Sequence, residues 1–206
     1  MADRRIRIEL PAPVRDGDTS LERALQQRRS VRAFADRPIG LARAGQLLWA
    51  AQGRTDPRGR RTAPSAGALY PLEIYLVAGA VTNLDPGVYR YGGDRHRLEA
   101  LATGDRREAL GQAALGQSAV TGAPAVIVLG AVPARTQRKY GDRGERYVHM
   151  EAGHAAQNVL LQAVALELGA VAIGAFRDPA VRDVLGVEPP VEVLYLLPVG
   201  HPATGP

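Results

Sequence analysis

The stretch RTQRKYGDRGERY, residues 135–147, holds Lys139, the single lysine in a chain with 26 Lys+Arg residues, and Tyr140 follows it directly. A guanidinium stays protonated in a protein, whereas an ammonium can be tuned into a base. A lysine in its amine form can take a proton from a carbon acid, and a neighbouring phenol can orient the substrate or relay that proton. Arg135, Arg138, Arg143 and Arg146 crowd Lys139 in sequence, and like charge favours the neutral amine. The alternative is chance in an arginine-biased composition, and the segment alone leaves both open.

Three further segments carry residue types suited to a ligand. In RRSVRAF, residues 28–34, an extended backbone would point Arg28, Ser30 and Arg32 to one side. Two forked cations and a hydroxyl suit a phosphate or an electron-rich ring. The competing reading is the basic C-terminus of a helix. In PSAGALYP, residues 64–71, small residues between prolines predict an ordered loop that lies close against a flat ligand, or else a plain turn. IGAF, residues 173–176, closes an apolar run, so its backbone N–H groups could meet a ligand at a strand end, or simply pack closely. Glu151 and His154 form Glu-x-x-His, half of a carboxylate di-metal motif. With only four histidines and no second copy, a metal is not expected, and His154 is expected to pack or to bond Gln157 and Asn158. No Gly-x-Gly-x-x-Gly, P-loop or Gly-x-Ser-x-Gly elbow occurs.

These residues need elements to position them. The 206 residues suffice for one domain with a sizeable core, and 46% hydrophobic with 23% charged residues fits a globular protein. An arm over residues 1–18 includes the alternating RIRIEL, a short strand. Thr19 and Glu22 have capping-box spacing for a helix. GLARAGQLLWAAQG carries Ala44, Leu47, Leu48 and Ala51 on one stripe, with Gly53 as C-terminal cap. LEIYLVAG reads as a strand and GVYRYGGDRHRLEAL as a hairpin around Gly-Gly. DRREALGQAALGQ reads as helix and PAVIVLGAV as a buried strand. A long helix is expected from about 143 to 168, ended by Gly169, then a buried strand AVAIGAF, a short helix opened by proline, and a last strand VEVLYLLPVG. The result is one α+β domain whose central strands are covered on both faces.

Composition excludes several functions. The chain has no cysteine, so disulfides and thiolate chemistry are absent. The formal charge of +5 and a pI near 10.0 could suit nucleic acid. The arginines are interspersed with acids, however, and aromatic residues are only 5%, so base-stacking platforms are sparse and no nucleic-acid partner is expected. The N-terminus lacks a signal-peptide core and no apolar run is long enough for a membrane span, so the expected location is cytoplasmic.

In order, RRSVRAF, LLWAAQG, APSAGALYPLEIYLV, GVYRY, KYGDRGERY, EAGHAAQN and IGAF resemble the nitroreductase superfamily of FMN enzymes. Within it the pattern is similar to the SagB/ThcOx-type dehydrogenases, with PSAGALYPLE and KYG as the branch-specific parts. The likeness runs from about residue 19 to residue 200. It implies a central, mainly antiparallel sheet flanked by helices, and an intertwined homodimer with each FMN between two chains. Arg28 and Ser30 match positions for the FMN phosphate and ribityl chain, with Arg29 adding a backbone amide. Arg32 matches a cation at the pyrimidine edge, where it would stabilise the negative charge of reduced flavin. Pro64, Ser65, Ala66 and Gly67 match a loop reaching the other subunit's flavin. Gly174 and Ala175 match the backbone facing flavin N5, and Gln117, just before a buried strand, is a candidate partner of the polar ring edge. The family often adds a late basic residue for the phosphate. VGHPATGP has no late arginine, which leaves His201 or Arg29 for that role.

In the azoline oxidases of that branch a Lys-Tyr pair serves the chemistry, and Lys139 and Tyr140 match it. The resemblance thus implies oxidation of a peptide thiazoline or oxazoline to the azole, with Lys139 removing the proton α to the carbonyl. Oxygen could reoxidise the flavin. With a short segment before residue 19, no additional peptide-binding module is expected there, and leader recognition is expected from a biosynthetic partner. Two other functions stay open: NAD(P)H-dependent reduction of nitro, quinone or enone groups, and a flavin-binding scaffold subunit.

Overall fold

The computed structural model describes residues 6–203, and each element follows from the local pattern. β1 (Arg7–Glu9) leads through an extended arm to α1 (Leu21–Gln27). Ser20 caps α1, its hydroxyl accepting the Arg23 N–H at 3.2 Å. The cap falls one residue after the expected Thr19, and with Ser20 in that role Arg23 stands where a capping box needs a carboxylate, so no Thr19–Glu22 box forms. β2 (Ile39–Gly40) runs directly into α2 (Leu41–Gln52), whose stripe Ala44, Leu47, Leu48 and Ala51 is buried. Gly53 ends α2 with extended backbone at φ −68°, not in the left-handed conformation of a usual glycine cap. Space dictates this glycine: a Cβ there would stand 2.1 Å from Trp49 Cδ1.

The next elements are β3 (Leu72–Ala78), β4 (Val81–Thr82) and the hairpin β5 (Gly87–Gly92) with β6 (Arg97–Thr103). Two short helices follow, α3 (Arg107–Ala113) and α4 (Ser118–Gly122), then β7 (Ala125–Ala131). α5 (Ala134–Tyr140) and the long α6 (Arg143–Ala165) come next. β8 (Gly169–Ala170), α7 (Asp178–Leu185) and β9 (Glu192–Gly200) complete the domain. Seven strands form one antiparallel sheet in the order β1-β6-β5-β3-β7-β9-β8, while β2 and β4 make a small parallel pair.

Strand alternation splits the core into two faces. Ile74, Leu76, Ile127 and Leu129 pack with α2 and α6. Tyr75, Val77, Val126 and Val128 pack with α3, α4 and α7. β7 is buried along its whole length, as a continuous apolar run requires of a strand covered on both sides. Among the described residues no helix is long and apolar enough to cross a membrane.

Two boundaries depart from the pattern. α6 stops at Ala165, and Glu167 turns the chain at φ 58°, so Gly169 is not its terminator. Gly169 belongs to β8, where a Cβ would lie 2.5 Å from Val31 Cβ. Of the run AVAIGAF only Ala170 lies in a strand, forming β8 with Gly169, and Ile173 adds one bridge to Leu196. Beyond it Arg177 pulls the chain over α3, its N–H bonding the Ala113 carbonyl at 2.9 Å and its guanidinium the Gln112 carbonyl at 2.7 Å. Gly174 and Ala175 are left exposed in that crossing.

α5 lies directly on the start of α6, because Gly144 presents no side chain. A Cβ at Gly144 would sit 2.8 Å from Gln137 Cα and 3.0 Å from the Thr136 carbonyl carbon. Backbone cannot yield as a flexible side chain does. Gly144→Ala is therefore expected to cost about 1–3 kcal/mol, seen as a lower Tm, by prising α5 from α6. An unchanged Tm would show that this contact is not tight.

Candidate active site

β3 and β7 pair with Leu72 opposite Ala131, so the segment entering β3 and the helix leaving β7 emerge side by side. Pro71 and Val132 seal that junction by a 2.8 Å backbone hydrogen bond. The entering segment is the 64–70 loop, a 3-10 turn over Ala66–Ala68. It bends sharply: Gly67, Ala68 and Tyr70 have φ of 63°, 54° and 46°. Left-handed backbone costs about 1–2 kcal/mol at each non-glycine position, so the loop needs external support. Ser65 supplies part of it, its Oγ accepting the Tyr70 N–H at 2.9 Å. Arg135 on α5 donates to the Tyr70 carbonyl at 3.3 Å and pairs with Glu73. The Arg61 guanidinium covers the Tyr70 ring at 4.6 Å.

Lys139 and Tyr140 at the end of α5 converge on this loop. A Cβ on Gly67 would meet the Tyr140 hydroxyl at 2.9 Å and Lys139 Nζ at 3.2 Å. A side chain there would be strained at this φ and would have to displace the Tyr140 hydroxyl and the Lys139 amine. Lys139 is exposed, with Nζ 5.4 Å from the Tyr140 ring centroid. Tyr140 packs edge-on against Tyr147 at 5.1 Å. Two of the four arginines near Lys139 in sequence engage other groups: Arg135 turns to Glu73, and Arg143 reaches the Tyr147 hydroxyl at 3.2 Å.

Beneath the loop lies Glu151, which the metal motif had singled out for another reason. It is 2% exposed, on the α6 stripe with Val148, Ala152 and Ala155. Gln52 Nε2 donates to it at 3.1 Å, and the Ser65 hydroxyl bonds it from above. Gln52 in turn accepts from Arg61 Nη1 at 3.1 Å, and Arg61 pairs with Asp94 at 3.4 Å. Burial pushes the Glu151 carboxyl up to about 7, against the opposing pull of the Ser65 and Gln52 hydrogen bonds and the Arg61 charge. His154 is exposed and does not engage Asn158, whose amide bonds the Thr62 carbonyl at 3.3 Å. Sequence reasoning missed Gln52, Arg61 and this use of Glu151. The available signal was an acid at i+3 on an apolar stripe beginning at Val148.

The remaining candidates gather elsewhere. Arg28 closes α1, so the expected alternation from Arg28 does not begin until Ser30, which bridges to Ala170. Arg29 folds back on the Gln26 and Arg28 carbonyls at 2.7 and 2.9 Å, and Arg32 is exposed. Gln117 is joined to Ala175, donating to its carbonyl at 2.8 Å. Burial, then Arg37 and Arg43, hold His201 below the usual histidine range. Ala170 pairs with Val199, and Val199 with Ala125, which places Ser30 at the far end of β7 from Ala131. Seven extended residues separate the two ends by about 20 Å.

This chain belongs to the nitroreductase family: the family model, described as "Nitroreductase family", matches residues 25–201. It is 46% identical over 184 residues to a Methanocaldococcus jannaschii protein named as a nitroreductase, spanning 89% of this chain and 92% of that one. It is 26% identical to the trifolitoxin operon protein TfxC of Rhizobium leguminosarum bv. trifolii, over 85% of this chain and 54% of the relative. The structure is similar to a nitroreductase-type protein of Anabaena variabilis, with TM-score 0.85 and 30% identity over 96% of this chain and 42% of that one. It shares its fold with the E. coli microcin synthetase McbBCD complex carrying truncated pro-MccB17, with TM-score 0.74 and 24% identity over 94% and 77%. It also shares the fold of a Desulfovibrio desulfuricans nitroreductase-type protein in complex with FMN, with TM-score 0.67 and 23% identity over 92% and 90%.

Glu151 offers a pH test. Its folded carboxyl holds a proton more tightly than in the unfolded chain, so stability falls as pH rises from 4.5 to about 7 and levels off above. Glu151→Gln removes that loss. The Tm of the variant minus that of wild type is expected to rise across this window and stay constant beyond it. A difference independent of pH would refute the buried, proton-holding carboxyl.

Proposed function

We propose that this chain is an FMN-dependent oxidoreductase of the SagB/ThcOx type, with Lys139 as general base and Tyr140 beside it. The observation that carries the reading is the convergence of Lys139 Nζ and the Tyr140 hydroxyl on Gly67, inside the PSAG loop. Plain nitroreduction needs no protein base for a C–H bond. The operon likeness to TfxC and the fold shared with McbBCD support a substrate of the peptide-azoline kind.

The residues present suit FMN. Arg28, Ser30 and Arg32 offer cationic and hydroxyl donors along the segment that leaves α1 and bridges to β8, and Arg29 lies between them in sequence. The N–H groups of Gly174 and Ala175 make no backbone hydrogen bond among the described residues, and both positions are exposed. Gly174 has no side chain to block a flat ligand, and Gln117 fixes the Ala175 carbonyl beside it. FMN, when bound, would supply the hydride acceptor. Lys139, in its amine form, would take the proton from the carbon α to the substrate carbonyl as hydride leaves the adjacent carbon. Tyr140 would orient the ring, and Arg32 would offset negative charge.

The placement of Ser30 and Gly67 at opposite ends of β7 argues for a shared site. If Pro64, Ser65, Ala66 and Gly67 serve the flavin of a second copy, Lys139 and Tyr140 accompany them, because they touch Gly67. The homodimer then pairs the phosphate residues of one protomer with the base of the other. Exposed Leu21, Leu25 and Met150 on α1 and α6 offer apolar surface for such pairing.

Lys139→Arg keeps the charge and loses the removable proton. It is expected to bind FMN normally and to lose at least ~100-fold in substrate oxidation, a loss typical of a missing general base. Unchanged turnover would remove Lys139 from the chemistry. Mixing Lys139→Ala with an Arg28→Ala/Ser30→Ala protein should give dimers with activity that neither parent has, since one site is then intact. The 46% identity to a protein named as a nitroreductase favours the reductase as the second reading. Rapid anaerobic bleaching of the flavin by NADPH alone would establish that reading instead.

A further inference from the structure

Glu151 is the only charged residue among the described ones that is buried, and it interrupts an otherwise apolar stripe. Burying a carboxyl costs several kcal/mol unless partners compensate, and an apolar residue of similar size would pack there at less cost. Stability alone does not explain it. Its partners do. Each has its orientation fixed by a second contact. Arg61 donates to Gln52 Oε1, which leaves Gln52 Nε2 to donate to Glu151. Arg61 is itself held by Asp94 and by the Tyr70 ring. Ser65 bonds Glu151 with its hydroxyl while its oxygen accepts the Tyr70 N–H. The carboxyl therefore ties both ends of the bent 64–70 loop, through Ser65 at one end and through Gln52, Arg61 and Tyr70 at the other. Gly67 stands midway between them, against Lys139 and Tyr140.

We infer that Glu151 is a positioning residue: through Ser65 it fixes the 64–70 loop and thereby the place of Lys139 and Tyr140. Its bearing on catalysis rests on the general-base reading above, but the positioning itself does not. Arg61 is the one charged group that acts on Glu151 among the described residues, and α2 faces it with the neutral Gln52. The loop register is therefore set by α6, the same helix on which α5 rests through Gly144, and both halves of the site share one support.

The single lysine makes this measurable without turnover. Reductive methylation with ¹³C-formaldehyde labels Lys139 and the N-terminal amine alone, so the Lys139 resonance can be followed by NMR on the whole protein. Amide exchange read by mass spectrometry reports the loop. Ser65→Ala deletes one oxygen from the loop and leaves the core intact. It is expected to speed exchange over residues 66–70 by about 10–100-fold, the value of two lost hydrogen bonds, to Glu151 and from the Tyr70 N–H, and to shift the Lys139 resonance. Glu151→Ala should do both, and the double variant should go no further than the larger single one, because the two residues act as a unit. Glu151→Gln keeps an acceptor for Ser65 and should restore wild-type exchange. Unaltered exchange in Ser65→Ala, or a loosened loop with an unmoved Lys139 resonance, would overturn the inference. A fully active Lys139→Arg protein would instead refute the general-base reading and leave these measurements standing.

Discussion

The site depends on one pairing, Leu72 opposite Ala131 in the two central strands. Antiparallel register at that point makes the chain entering β3 and the chain leaving β7 neighbours, although about sixty residues lie between them in sequence. A slip of β3 by one residue would send Ile74 and Leu76 to the face packed by α3, α4 and α7, and Tyr75 and Val77 to the face packed by α2 and α6, so neither core would fit. The packing of the two cores therefore fixes the register, and the register brings Gly67 to Lys139. The placement of the catalytic candidates is a by-product of burying the sheet.

Around that junction the structure accepts unfavourable local choices. Two non-glycine residues sit at positive φ in a single loop, and a carboxyl is buried beneath it. Each would be costly alone. They are compatible because they answer one another: the loop donates a hydroxyl where the carboxyl needs a partner, and α2 donates an amide. Such mutually supporting strain is found where a surface must hold one shape.

The phosphate-side candidates follow a different logic. Arg28, Ser30 and Arg32 lie where α1 ends and the chain meets β8, at the other end of β7. Ser30 and Arg32 are exposed there, and Arg28 is half-buried. The length of β7 separates these candidates from Lys139 and Tyr140 within one chain.

The sequence determined the strands, the long helix and the family, because apolar periodicity and the order of short motifs are local properties of the chain. It also marked Lys139, since a lone lysine beside a tyrosine stands out in an arginine-rich composition. It misplaced the cap of α1, the end of α6 and the strand after it, where a side-chain hydroxyl, a positive φ at Glu167 and the Arg177 contacts outweighed the pattern. Glu151 was visible only as half of a metal motif. Its role beneath the loop depends on Gln52, Arg61 and Ser65, which are 99, 90 and 86 positions away and become neighbours only when α2 packs on α6. Residue types and their order are written in the chain, whereas the partners that tune and position a buried carboxyl are chosen by packing between distant segments.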